Sequence, residues 1–225
     1  MGAKKDYDKH QIKTAILVDG GFYRKRAKSL WGHKTPAERA DELNSYCYRH
    51  LKDNYENRYL YRIFYYDCPP IKKNIYHPIT RKTVCLEKTS EYQWMNAFLS
   101  DLKHHRKFAL RLGHINENQV HYSLKHEATK KLLAGSITVS DITDDDLELN
   151  LEQKGVDMRI GVDISSLAFK HQVNQIILIS GDSDFVPAAK QARREGIDFI
   201  LDPMRSTIKQ DLLEHIDGIR TPKFS

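Results

Sequence analysis

Five short apolar runs, each bounded by polar or turn residues, constrain the fold of this chain more than any other feature. Runs of this length are typical of strands buried on both faces of a parallel sheet. Segments with apolar residues at helical spacing separate them, and such alternation implies right-handed crossovers within one doubly wound, mainly parallel α/β sheet. The predicted strands are residues 14–18, 59–66, 108–112, 175–179 and 197–201, and the predicted helices are residues 22–30, 37–51, 91–103, 156–170 and 185–195.

The stretch from about residue 72 to 153 fits this alternation least well, because it mixes basic clusters with an acidic run at residues 141–146. A chain of 225 residues suits one α/β domain. We therefore predict a single domain over residues 1–225, with a core from about 12 to 218. The stretch 72–153 is predicted to hold the third strand and its helix together with an insertion beside the sheet edge.

Charge and cysteine content narrow the class of protein. The net charge of +6 and the pI near 9.0 favour a polyanionic partner. Three cysteines without a C-x-x-C pair disfavour a disulfide framework or a zinc site. No apolar run approaches the roughly 20 residues that span a bilayer, and the charged amino terminus lacks the apolar segment of a signal peptide. We predict a cytoplasmic protein with no membrane partner, and the sequence leaves a homo-oligomer open.

Aspartates follow the predicted strands where an open α/β sheet binds its ligands, at the carboxyl ends. Asp19 ends the first strand, and Asp182 and Asp184 follow the fourth. Asp157 begins the helix at residues 156–170, and Asp163 lies further along it. Crowded carboxylates repel one another unless a cation neutralises them, and hard oxygen ligands suit Mg²⁺ or Mn²⁺. A metal held this way activates water for hydrolysis of a phosphodiester.

Each of these acids also has a structural explanation. Asp19 and Asp184 are plausible helix N-caps, Asp182 is a plausible turn residue, and Asp157 suits the positive end of a helix dipole. Asp157 and Asp163 are six residues apart, which places them roughly 120° apart around a helix. Both reach one metal only if Asp157 lies at or before the first turn, so Asp157 is the preferred third ligand and Asp163 the second choice.

Other residues are assigned to the surroundings of this site. Asp67 ends the second strand, where it either supports the metal site indirectly or forms a turn before Cys68. Cations can hold phosphates. The alternative is a solvated helix face for Arg24, a solvated helix end for the cluster at residues 103–107, and neutralisation of one of the acids for Lys154. The candidates for RNA binding are Arg24, Lys103, Arg106, Lys107 and Lys154.

Several motifs in fixed order carry a resemblance that spans about residues 12–218: ILVDGGFYRKR, FYYDCPP, FALRLG, QKGVDMRIGVDISSLAF, ILISGDSDFVPAAKQARREG and LLEHIDG. Together they resemble the NYN domain family, of the LabA-like kind, within the PIN-like nuclease superfamily. The resemblance implies a three-layer α/β/α sandwich whose acids bind Mg²⁺ or Mn²⁺ and cleave RNA. It assigns this role to Asp19, Asp157 and Asp182, with Asp184 as a fourth, more variable acid. Residues 72–153 vary within the family, so no role is carried over to them.

Two functions are compatible with these residues. The first is a metal-dependent ribonuclease that acts on single-stranded or structured RNA. The alternative is a non-catalytic RNA-binding or regulatory NYN-domain protein that keeps the pocket. A phosphatase of the haloacid dehalogenase type is disfavoured, because it needs an aspartate where Gly21 stands. Dinucleotide binding is disfavoured because the glycines lack G-x-G-x-x-G spacing.

Overall fold

The computed structural model describes residues 11–52 and 57–223, so the charged segment at residues 1–10, on which the signal-peptide prediction rests, lies outside them. The strands are β1 (Gln11–Asp19), β2 (Asn57–Asp67), β3 (Asn74–Tyr76), β4 (Thr83–Cys85), β5 (Phe108–Leu112), β6 (His114–Ile115), β7 (His121–Leu124), β8 (Leu147–Asn150), β9 (Gln153–Lys154), β10 (Gln175–Ile179), β11 (Asp198–Asp202) and β12 (Gly218–Ile219). The α-helices are α1 (Gly20–Trp31), α2 (Pro36–Arg49), α3 (Ser90–His104), α4 (His126–Leu133), α5 (Val156–Phe169), α6 (Val186–Arg194) and α7 (Gln210–Leu213). No helix in the described ranges is long and apolar enough to cross a membrane.

The chain divides into two compact units. The first, built from residues 1–67, 97–113 and 155–225, contains a six-stranded sheet in the order β12-β11-β10-β1-β2-β5. Every pairing in this sheet is parallel, and helices flank it. This confirms the predicted α/β class with a central parallel sheet. All five predicted strands are present, and β5 and β10 agree with the prediction at both ends.

Burial explains why these runs form the centre of the sheet. All five residues of β10 are buried, and so are residues 14–18 of β1, its neighbour. A strand apolar on both sides is stable only between two helical layers. Thr35 and Glu38 form a reciprocal capping box around Pro36, the first residue of α2, and together these residues fix the start of the helix.

The second unit consists of residues 68–96 and 114–154. It contains three antiparallel two-stranded ladders, β3–β4, β6–β9 and β7–β8. Its two pieces account for most of the stretch that the sequence analysis assigned to an insertion, and β5 lies between them in the chain but belongs to the first unit. The assignment of the chain to a single domain stays a prediction.

Candidate active site

Asp19 is the last residue of β1, directly before α1 begins at Gly20. Its Oδ1 accepts the backbone N–H of Phe22 at 3.1 Å, and its Oδ2 accepts the Oγ hydroxyl of Ser180 at 3.2 Å. The first contact makes Asp19 the N-cap of α1, which was the structural explanation weighed above. The second contact joins the carboxyl end of β1 to that of the adjacent strand β10. The carboxylate is therefore held from two directions at the sheet edge.

Asp182 continues this arrangement in the loop after β10. The Oγ atom of Ser180 accepts the backbone N–H of Asp182 at 3.3 Å, and Asp182 Oδ1 accepts the backbone N–H of Asp184 at 3.0 Å. A short 3-10 turn, Ser183–Phe185, follows, so the residue before α6 is Phe185 and makes no side-chain cap. The expectation that Asp184 caps this helix is therefore wrong, because the extra turn moves the helix start past it. The carboxylates of Asp182 and Asp184 are exposed.

Asp157 lies in the first turn of α5, after Gly155, whose φ of 78° is in the left-handed region. Helix α5 leads into β10, so a parallel crossover brings the amino end of the helix to the edge where the strands end. The first-turn position is the one that the sequence analysis required of Asp157. Burial raises its pKa, and the nearby charges of Asp182 and Asp184 raise it further. The three carboxylates therefore lie close enough to repel one another.

Asp19 carries the largest electrostatic anomaly among these acids. Burial raises its pKa from the ordinary 3.8 to about 6, against the opposing effect of its hydrogen bonds from Phe22 and Ser180. The charges of Asp157 and Asp67 contribute to the increase. A carboxyl group whose pKa is raised this far by burial and by neighbouring charges is a candidate functional-site residue. Asp19 and Asp182 therefore lie at the ends of adjacent strands, and both interact electrostatically with Asp157.

These acids meet some of the requirements of a divalent cation site. Among the described residues, no group of three or more His, Cys, Asp and Glu side chains is arranged to hold a metal ion. Mg²⁺, however, keeps several waters and is usually bound by only one or two carboxylates. The mutual repulsion of Asp19, Asp157, Asp182 and Asp184 is the condition that a cation relieves. The donor chemistry thus fits Mg²⁺ or Mn²⁺.

Asp67 is buried at the end of β2 and supports the turn after Asp19. Arg24 donates to it from Nε at 2.9 Å and from Nη2 at 3.0 Å, and the Tyr65 hydroxyl donates to it at 2.8 Å. A Cβ atom at Gly20 would lie 2.5 Å from Asp67 Oδ2 and from the Tyr65 ring, so only glycine fits there. Arg24, predicted to bind RNA, thus neutralises a buried carboxylate beside the candidate site.

Asp163, the second choice for the third metal ligand, has partners of its own. The Tyr66 hydroxyl donates to its Oδ2 at 2.8 Å and Arg111 Nε donates at 3.0 Å. Asp163 is not among the charges that raise the pKa of Asp19 or Asp157. The structure therefore brings Asp157, rather than Asp163, into electrostatic contact with the other acids.

The basic cluster Lys103, Arg106 and Lys107 lies at the other end of the sheet. The cluster directly precedes β5, whose first residue, Phe108, pairs with Ile63 of β2. Ile63 comes three residues before Tyr66, which pairs with Asp19. The cluster is therefore about 13 Å from the level of Asp19 along the strand direction alone. This exceeds the roughly 8 Å Debye length at physiological salt. Lys154 lies on β9 in the second unit and forms an ion pair with Glu152.

Three cations in the same unit as the acids were not predicted. Lys209 donates to the Ser183 hydroxyl at 3.1 Å, within the loop of Asp182 and Asp184. Arg159 is exposed on α5, two residues after Asp157. Arg111 pairs in register with Tyr66, which pairs with Asp19, so it lies on the level of the site about 10 Å away. As the only charged residue in the run FALRL, Arg111 was the one that the sequence could have indicated.

Comparison with known proteins places these observations in a family. A solved structure, a protein of unknown function (VPA0982) from Vibrio parahaemolyticus RIMD 2210633, is similar with 14% identity and a TM-score of 0.46, covering 96% of this chain and 94% of that one. No curated protein matches the sequence. The NYN domain family matches residues 13–213, a range that contains every acid described above. This family is part of a superfamily of nucleases with PIN-like folds. The chain belongs to the NYN domain family.

Proposed function

We propose that this protein is a metal-dependent ribonuclease of the LabA-like kind. The observation that carries the proposal is the position of Asp19, a half-buried carboxylate with a pKa raised to about 6, among other carboxylates at the ends of adjacent strands. Membership of a nuclease superfamily supports hydrolysis of a phosphodiester, and the basic overall charge supports a nucleic acid substrate. Endo- or exonucleolytic action is open to the same arrangement.

Asp19, Asp157 and Asp182 would hold Mg²⁺ or Mn²⁺, with Asp184 as a fourth acid. When bound, such an ion lowers the pKa of water and neutralises charge on the phosphate. The chain itself orients the acids: the Phe22 N–H and the Ser180 hydroxyl fix both oxygens of Asp19. Ser180 also receives the Asp182 N–H, so one hydroxyl keeps two of the acids in register. In the metal-free protein, protons compete for Asp19 below a pH of about 6, so the affinity for the metal should fall as the pH is lowered.

The third ligand is tested by comparing Asp157→Asn with Asp163→Asn. We expect Asp157→Asn to lower the rate of RNA cleavage at least ~100-fold, because it removes an acid from the coupled set. Asp163→Asn should lower it less than ~10-fold, since an amide oxygen can still accept from Tyr66 and Arg111. Single-turnover cleavage of a labelled RNA measures both. The reverse ranking would make Asp163 the third ligand.

Phosphate binding is tested by neutralising cations at the two ends of the sheet. Arg159→Gln with Lys209→Gln should weaken RNA binding and lower the slope of log affinity against log salt by about two, one for each lost phosphate contact. Replacing Lys103, Arg106 and Lys107 by Gln removes more charge, yet we expect a smaller loss of slope because the cluster lies beyond a Debye length. Fluorescence anisotropy over a salt series measures both variants. A larger loss of slope for the cluster variant would mean that RNA binds at the end of the sheet that carries Lys103, Arg106 and Lys107.

One observation favours the alternative of a non-catalytic RNA-binding or regulatory protein. It is the lack of a preformed metal-holding group of three side chains in the described parts of the chain. That function predicts RNA affinity that is independent of divalent metal and unchanged by Asp19→Asn. The ribonuclease predicts that divalent metal strengthens RNA binding and that Asp19→Asn removes this metal effect, because carboxylates repel phosphates until a cation lies between them.

A further inference from the structure

A groove runs along the first unit between α5 and α6, beginning at two of the acids. Its cavity volume is about 620 Å³, and its lining includes Asp157, Met158, Gly161, Phe169, Asp184 and Gln191. Asp157 is in the first turn of α5 and Phe169 is its last residue, so the groove follows the helix for about 18 Å. The acids therefore form one end of the groove.

The walls of the groove are apolar, and some are unusually exposed. Met158 is 75% and Phe169 59% exposed, whereas Phe185, which also lines the groove, is buried. An exposed aromatic ring at the rim of a groove offers a face on which a planar group can stack. Apart from the two acids at its end, Ser165 and Gln191 supply the polar side chains of the lining. This combination suits a flat ligand with hydrogen-bonding edges.

Gly161 supports the interpretation that the groove is a binding site. It lies in the interior of α5, where glycine destabilises a helix by about 1 kcal/mol relative to alanine. Packing does not require glycine, since a Cβ atom there would have no heavy atom within 4 Å. Its backbone φ is not positive either. What a side chain at this position would occupy is the groove itself.

The charge of the groove selects the part of a nucleic acid that enters it. No Lys, Arg or His is among the described residues that line it, and two carboxylates stand at its end. A phosphate backbone would meet repulsion there without compensation, whereas a neutral base would not. The volume lies within the roughly 300–1,000 Å³ of sites for small molecules, so it accommodates a base with its ribose.

We propose that this groove binds unpaired nucleobases of the RNA strand that leads to the phosphodiester at the acids. The inference rests on the proposed function for its position relative to the acids. Bases stack on Phe169 and Met158, and their edges meet Ser165 and Gln191. Such stacking is tolerant of sequence because every base has a π face.

The experiment measures binding in EDTA, where cleavage does not interfere. Three probes of equal length are compared: an unstructured oligoribonucleotide, the same chain without bases, and a duplex. We expect Phe169→Ala with Met158→Ala to weaken binding of the unstructured RNA about tenfold, the effect of one lost stacking contact, and to leave the other two probes unchanged. Val162→Ala is the matched control, because Val162 is 60% exposed on the same helix but does not line the groove.

A second variant separates loss of binding from loss of folding. Gly161→Leu should fill the groove while improving the helix propensity of α5, so its thermal stability should equal or exceed that of the wild type. It should nevertheless bind the unstructured RNA about tenfold more weakly, and Gly161→Ala should bind nearly normally.

Unchanged affinity of Gly161→Leu and of the double alanine variant would overturn the proposal, as would equal losses with the baseless probe. Sedimentation showing a dimer that Phe169→Ala dissociates would identify a second copy as the occupant. Since these readouts need no cleavage, an inactive protein that binds as predicted would refute only the ribonuclease.

Discussion

Replacement of Asp19 by Asn is expected to abolish RNA cleavage and, at the same time, to stabilise the fold. The rate should fall at least ~100-fold, because the variant loses the most deeply buried of the clustered acids. The stabilisation follows from the pKa: Asp19 ionises near 6 in the folded chain but near 3.8 when unfolded. Keeping it charged in the fold at neutral pH therefore costs about 2–3 kcal/mol, which the neutral amide avoids.

The contribution of Asp19 to the stability of the fold depends on pH. Between about pH 4 and 6 the folded protein holds a proton that the unfolded chain has released, so this group makes stability fall as pH rises. The difference between Asp19→Asn and the wild type should be near zero below pH 3.8, grow up to about pH 6 and then stay constant. Chemical denaturation at several pH values measures it. A variant less stable than the wild type at neutral pH would mean that the hydrogen bonds from Phe22 and Ser180 outweigh the burial of the charge.

Replacement of Arg24 by Met should be among the most destabilising single changes in the first unit. Asp67 is fully buried and Arg24 is 30% exposed, so the variant leaves a buried carboxylate without its cation. Breaking such a pair costs about 3–5 kcal/mol, although replacing both partners costs much less. Equilibrium unfolding should therefore show a large loss for Arg24→Met that the added change Asp67→Asn partly restores.

A matched control for this pair is Arg193→Met. Arg193 pairs with Asp217 at 2.9 Å, but both side chains are about one-third exposed, so the loss should stay below about 1 kcal/mol. Equal losses of stability for the two arginine variants would contradict the conclusion that the buried Arg24–Asp67 pair stabilises the turn at Gly20. A loss of RNA affinity without a loss of stability in Arg24→Met would instead support the phosphate-binding role predicted from sequence.

The strands could be predicted from the sequence because burial on both faces of a sheet requires an uninterrupted run of apolar residues. Residues 14–18 and 175–179 are apolar throughout, and both runs lie at the centre of the sheet. Strand β12 has no such apolar run, since Gly218–Ile219 pairs with β11 through only two residues. The ladders of the second unit are also short, with two to four residue pairs each, and their pairings depend on contacts that alternation of apolar residues does not encode.

The acids were predictable for the same reason, and the cations were not. Asp19 and Asp182 follow runs whose ends are fixed by burial, so the parallel sheet brings them to one edge. Lys209 lies in a loop whose path depends on tertiary contacts, and no periodicity indicates that it reaches Ser183. The cluster at Lys103 was conspicuous in the sequence, but it precedes β5 and so belongs to the opposite edge. Density of charge along a chain does not reveal which end of a sheet that charge occupies.

The most direct test of the ribonuclease is cleavage of a mixed RNA pool by the purified protein with Mn²⁺ and with EDTA, beside Asp19→Asn. We predict fragments only for the wild type with the metal. The variant should leave the RNA intact with Mn²⁺, because it lacks a charge that holds the cation. In EDTA it should bind the same RNA with equal or slightly higher affinity, because that charge also repels phosphate. RNA that stays uncut by the wild type under every divalent metal tried, or that both proteins cut equally, would contradict the account.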